Sequence, residues 1–191
     1  MTARVRERAT YEDLVRLPEN MVGELIDGEL YAWPRPRPRH GHSALRLGGR
    51  IEAAFDSGDG GPGGWVILPE PELHLEADVL VPDIAGWRIE HWTHEGDAVG
   101  ITVRPDWVCE VMSPSTASHD RRKKMPIYAS HGVSHAWIVE PTQKTIEVFR
   151  LENARWSLLA TCGEEDKMRA EPFEAIEFDL ARIFASPLPP P

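Results

Sequence analysis

Glu110 stands in a run that should otherwise be all apolar: Trp107-Val108-Cys109-Glu110-Val111-Met112 has the length and content of a buried strand. An unpaired carboxylate there would cost several kcal/mol, so something must compensate for it. Asp83 follows Val79-Leu80-Val81-Pro82 in the same style, at the exit of a strand, and two carboxylates at the ends of neighbouring strands could converge. The simplest compensation is a divalent cation, Mg2+ (or Mn2+), which takes hard oxygen ligands. Lys124 lies four positions after Asp120 and four before Tyr128, so the three share one helical face if Pro126 leaves the turn intact. A lysine aimed from that helix at Asp83 and Glu110 could orient or deprotonate water and stabilise charge on a phosphate. The set then describes phosphodiester hydrolysis. Each residue has a plain alternative: Asp83 as a strand-end turn residue, Lys124 as part of a solvated Arg121-Arg122-Lys123-Lys124 face. Their joint occurrence favours the chemistry.

The elements that would carry these groups follow from spacing. Thr10 and the acidic residues after it predict a short helix ending near Pro18, with Leu14 and Leu17 inward. The segment GELIDGELYAWP predicts two strands turning at Asp27-Gly28. PRPRPRHG reads as a stiff loop whose Arg35, Arg37 and Arg39, with Arg46, could face phosphate or simply be solvated. A helix is predicted from His42 to Phe55 with Leu45, Leu47, Ile51, Ala54 and Phe55 inward. Two apolar runs, around Leu73-His74-Leu75 and Val79-Leu80-Val81, predict an antiparallel pair, and Gly86 to Gly100 a surface loop. A helix from His119 to Ser130, kinked or reset at Pro126, precedes a hairpin of HAWIVE and TIEVFRL, then a strand in RWSLLAT and a turn in GEEDK.

The 191 residues suit one domain, read as 11–184 between an N-terminal tail, 1–10, and a Pro-rich C-terminal tail, 185–191. The start has no secretory pattern and no stretch is long and apolar enough for a membrane span, which suggests the cytoplasm. Cys109 and Cys162 read as free thiols, and neither His91 with His94 nor His131 with His135 makes a convincing zinc site. The net charge is -10, with nine Lys/Arg against seven Asp/Glu in residues 1–50 and twelve against twenty-four downstream. Such an acidic chain is no passive DNA-coating protein, because nonspecific affinity grows with the phosphates neutralised. An enzyme with a few local basic residues and a bridging cation is compatible with it.

In chain order, ELIDGELY, His40-Gly41, Val81-Pro82-Asp83, CEVMSPST, Asp120 with Lys124 and Tyr128, and GVSHAWIVEP resemble the putative restriction endonuclease family abundant in cyanobacteria, a branch of the PD-(D/E)xK nuclease superfamily. The resemblance runs from about Tyr11 to Leu159. It implies an α/β fold with a restriction-endonuclease-like mixed central sheet flanked by helices and additional antiparallel strands. It also implies Asp83 and Glu110 as metal-binding acids, with the Val111 carbonyl as a further ligand. Glu24 matches an extra acid that holds metal-bound water, and the family's arrangement would let it close a helix rather than lie in a strand. The superfamily's usual lysine position falls on Met112, which has no such chemistry, and Lys124 matches the lysine that has migrated to the next helix. Ser113 and Tyr128 would hold loop and helix against the site. His40 would contact substrate or water, or else start a helix.

The function implied is a divalent-metal-dependent endonuclease acting on DNA, as a homodimer by the family's habit. The alternative is a noncatalytic binding or regulatory protein on the same fold. A glycosidase using Asp83 and Glu110 would leave the lysine without a role. Trp87, Trp92 and Ile101 are candidates for an interface or for covering the sheet.

Overall fold

The computed structural model describes residues 8–34, 38–93 and 100–185. Arg35, Arg37 and His94, and the ends of both tails, fall outside them. Helix α1 (Tyr11–Val15) starts where the Asp13 carboxylate accepts the Thr10 N–H at 2.8 Å. Strands β1 (Met21–Ile26) and β2 (Glu29–Pro34) follow, joined by Asp27 and Gly28 at φ 55° and 76°. Two successive left-handed residues make the primed turn that an Asp-Gly pair favours, so the strand reading of this segment holds. Glu24 does not close a helix; it lies inside β1.

Helix α2 begins at Pro38, four residues before the predicted start, as an α segment Pro38–Ile51 that ends in a π turn Glu52–Asp56. Proline supplies the fixed φ of a first helical turn and has no N–H to leave orphaned there, so Arg39 and His40 are helical rather than looped. Leu47, Ile51, Ala54 and Phe55 are buried as expected, but Leu45 is 73% exposed. Arg46 is not a phosphate-facing group; its guanidinium donates to the carbonyls of Arg182 and Ala185.

The remaining strands are β3 (Trp65–Pro69), β4 (Glu72–Leu75), β5 (Asp78–Leu80), β6 (Ile84–Arg88), β7 (Gly100–Ile101), β8 (Trp107–Val111), β9 (His135–Glu140), β10 (Thr145–Glu152), β11 (Arg155–Gly163) and the short ribbon β12 (Lys167–Met168) with β13 (Phe178–Asp179). Helix α3 spans 117–130 and α4 is Leu180–Phe184. A six-stranded mixed sheet runs β11-β10-β9-β8-β6-β3, with β8 and β9 parallel; a five-stranded sheet runs β2-β1-β5-β4-β7. This is the expected α/β architecture: a mixed sheet flanked by helices, with additional antiparallel strands.

One predicted loop is wrong at its start. Gly86, Trp87 and Arg88 belong to β6, and Trp87 is fully buried. Gly86 misled because glycine punctuates loops, yet here it allows close packing: a Cβ would meet Trp65 and Trp107 ring atoms at 3.3 Å and Ile67 at 2.9 Å. Trp87 and Ile101 join the core that covers the sheet, with Trp92 packed edge-on against Trp87.

Candidate active site

Alternation along β8 decides where Glu110 points. Trp107, Cys109 and Val111 enter one core, with Trp137, Phe173 and α2. Val108 and Met112 enter the opposite core, with Tyr128, Met125 and Ile26. Glu110, in phase with the second pair, is thereby aimed between the two sheets and α3. It is 2% exposed.

Helix α3 delivers the partners. It joins α segments Ala117–His119 and Met125–Ser130 through a π turn, Asp120–Lys124, in which the Met125 N–H donates to the Asp120 carbonyl. The reset expected at Pro126 is this widened turn, and Asp120, Lys124 and Tyr128 all remain buried on one face. Tyr128 donates its hydroxyl to Glu110 Oε1 at 2.7 Å. Lys124 Nζ lies 2.9 Å from each Glu110 oxygen and 2.8 Å from Glu24 Oε1, and donates to the Val81 carbonyl at 2.9 Å. Glu24 accepts the Val81 N–H at 2.9 Å, and its other oxygen lies 2.9 Å from His119 Nε2.

Asp83 stands immediately before β6, whose Ile84 pairs with Cys109 of β8, which brings it beside Glu110's strand end. Its Oδ2 accepts the Val111 N–H at 2.7 Å, and its Oδ1 lies 3.2 Å from His40 Nε2. Ser113 bridges Ser115 and Thr116 by hydroxyl contacts of 2.9 and 3.0 Å, bracing the loop into α3. Glu24, Asp83, Glu110, Lys124, Asp120, His40 and Ser113 therefore line one cavity of about 450 Å³, while Tyr128 sits behind Glu110. Five carboxyl groups and a single lysine line it among the described residues.

That imbalance sets the protonation states. Burial pushes the Glu110 carboxyl well above its ordinary range, and the charges of Asp120, Asp83 and Glu24 push the same way against Lys124. Asp120 rises to about 6, chiefly through burial, despite Lys124 and a hydrogen bond from Thr116. For Glu24, desolvation is outweighed by Lys124, His119 and the Val81 amide, and its carboxyl falls below its usual value. Burial opposes the Lys124 charge, but Glu110, Glu24 and Asp120 outweigh it and hold the ammonium firmly. His40 is raised because its bond to Asp83, that charge, and the Val111 carbonyl outweigh its burial.

Three residues that no sequence pattern assigned to the site join it: His119 and Val81 at Glu24, and Trp33 in the cavity lining. His119 was legible only as the residue before Asp120 on the same helix, and Val81 acts through its backbone, which no side-chain pattern reports. Elsewhere, His91 pairs with Asp106 at 2.8 Å and His135 with Glu171 at 3.2 Å, which accounts for two of the histidines whose spacing suggested ligands.

Among the described residues, no group of three or more His, Cys, Asp or Glu side chains is poised around one ion position; Lys124 stands between Glu24 and Glu110. Oxygen donors of the kind a hard cation takes are present, although Lys124 and Tyr128 engage both oxygens of Glu110. Asp83 and Glu110 present oxygens to a shared cavity holding more carboxylate than ammonium, and the Val111 carbonyl lies beside Asp83's histidine partner.

The two-sheet α/β fold, with acids and a lysine gathered at the ends of β6 and β8, is of the restriction-endonuclease-like class. A family profile described as "Putative restriction endonuclease" (Uma2) matches residues 9–182, and the chain belongs to that family. The fold is similar to the crystal structure of a putative nuclease belonging to DUF820 from Anabaena variabilis ATCC 29413, with a TM-score of 0.74 at 19% identity, covering 92% of this chain and 97% of that one. No curated protein sequence matches significantly. Among the described residues no helix is long and apolar enough to cross a membrane.

Proposed function

We propose that the protein is a divalent-metal-dependent phosphodiester hydrolase acting on DNA. The observation that carries this reading is the buried Glu24–Lys124–Glu110 cluster beside Asp83 in one cavity. Asp83, Glu110 and the Val111 carbonyl would hold Mg2+ or Mn2+, which supplies charge neutralisation at the phosphate and a more acidic water. Glu24, kept ionised, accepts a hydrogen bond from the attacking water and orients it. Lys124, kept as an ammonium, serves as a donor to phosphate oxygens rather than as a base. Tyr128 and His119 fix the two glutamates, and His40 reaches the substrate side of Asp83. Hydrolysis joins the water oxygen to phosphorus and breaks one P–O ester bond, with the departing oxygen taking a proton. Cutting both strands of a duplex would call for a symmetric homodimer.

A second reading, a noncatalytic protein that keeps the cluster for stability, is favoured by how fully Lys124 and Tyr128 satisfy Glu110. Calorimetry and a cleavage assay separate the two: Mn2+ should bind wild type and not Glu110→Ala, and cleavage of single-stranded or plasmid DNA by wild type should be lost in Lys124→Ala. Absence of divalent-cation binding at millimolar concentration would overturn the metal-dependent reading.

A further inference from the structure

The mouth of the cavity carries an aromatic wall that the hydrolytic groups leave unexplained. Tyr31 and Trp33 lie on β2, an edge strand, directly opposite Glu24 and Val22 of β1. Directly paired residues project from the same side of a sheet, so both rings share the face that bears Glu24. The rings are nearly parallel, 8° apart with centroids at 5.9 Å. His119 packs against both, at 4.7 Å from Tyr31 and 4.5 Å from Trp33, while its Nε2 holds Glu24. Trp33 itself lines the cavity and is half-buried, so part of a large flat ring stays open to whatever enters.

The hydrolytic groups are recessed. Glu24, Glu110 and Lys124 are each 2–3% exposed, deep in a cavity whose more exposed lining residues include Trp33, Pro34, Pro114 and Ser115. The backbone of an intact duplex is stiffened by stacked, paired bases and cannot bring one phosphate into such a recess without the cost of distorting them. A single strand can, and an aromatic face at the entrance gives its unstacked base a partner.

We propose that Trp33, braced by Tyr31 and His119, is a stacking platform for one unpaired nucleobase. The substrate is then a single-stranded or frayed nucleic acid rather than intact duplex. This rests on the nuclease reading for its catalytic sense, but it makes a separate claim about binding.

The test is fluorescence anisotropy in Ca2+ with a labelled oligothymidylate of about 12 nucleotides, a footprint typical of single-strand sites, and with a blunt duplex of the same length. Wild type should bind the single strand more tightly than the duplex. Trp33→Ala should weaken single-strand binding about tenfold or more and leave duplex binding unchanged, given the usual contribution of one stacked base. Trp33→Phe, which keeps a flat ring, should stay within about threefold of wild type. Equal single-strand binding by wild type and Trp33→Ala, preference for duplex, or no binding of either probe would overturn the platform. An oligouridylate arm distinguishes RNA from DNA as the source of the base. Mn2+ calorimetry on wild type and Trp33→Ala reads the metal site independently, so loss of the metal proposal and loss of the platform are distinct results.

Discussion

The two faces of β8 show how differently one strand can use burial. On one side Trp107, Cys109 and Val111 enter an aromatic core in which Trp107 meets Trp137 and Phe173 edge-on, with centroids at 5.5 and 4.9 Å. On the other, Glu110 sits between Val108 and Met112, equally buried but held by an ammonium and a phenol. The first face lowers the free energy of the fold through apolar area and ring geometry. The second gathers groups whose charges oppose one another, and two of its carboxyls are pushed upward by burial. A strand that needed only stability would repeat the first face. The contrast marks the candidate site better than depth does, since both faces are equally deep.

Four substitutions test that contrast, in descending order of effect on stability. Trp107→Ala should cost about 3–5 kcal/mol in urea unfolding without altering Mn2+ affinity in whatever protein remains folded; a change in affinity would mean the faces are not separable. Lys124→Met should cost about 3 kcal/mol at pH 8, because Glu24 and Glu110 lose their counter-charge. The loss should shrink near pH 5, where those carboxyls can protonate instead, and a pH-independent loss would contradict the charged-cluster account.

Asp120→Asn should have the opposite sign. A carboxyl raised from 3.8 to about 6 binds its proton more tightly in the folded state, so its contribution is favourable below pH 3.8 and is lost as pH rises towards about 6. At pH 8 the ionised group costs up to about 3 kcal/mol, so Asp120→Asn should raise the melting temperature there and converge with wild type in acid. Glu110→Gln keeps the shape and can still accept the Tyr128 hydroxyl through its amide oxygen, but its NH2 turns a donor toward the Lys124 ammonium, so it should cost about 1–3 kcal/mol. It should nevertheless abolish Mn2+ binding, the sharpest separation of function from folding on this strand.

Much of this was legible in the residues, for reasons that differ by position. Glu110 and Asp83 were found because a carboxylate in an apolar run is costly wherever the strand goes. Asp120, Lys124 and Tyr128 were found by helical spacing, which the π turn altered in detail but not in outcome. Glu24 is the instructive case: alternation and the Asp-Gly turn placed it in a strand, while the family resemblance suggested a helix end, and local chemistry was the better guide. The start of α2 was missed because proline reads first as a helix breaker, and Leu45 because the helix presents it to solvent. His119 and Val81 reach Glu24, and Trp33 the cavity, only through contacts among β1, β2, α3 and the segment after β5 that are distant in sequence, and no local pattern records those.

The π turn in α3 has a further consequence for how such a site can vary. An α-helix rotates about 100° per residue, so adding or removing one residue between 120 and 124 would swing Lys124 and Tyr128 away from Glu110 while leaving every residue type of the cluster in place. A lysine carried by a helix rather than by the strand is thus held in place by angular phase, and a single-residue length change could dismantle the cluster while substituting nothing in it.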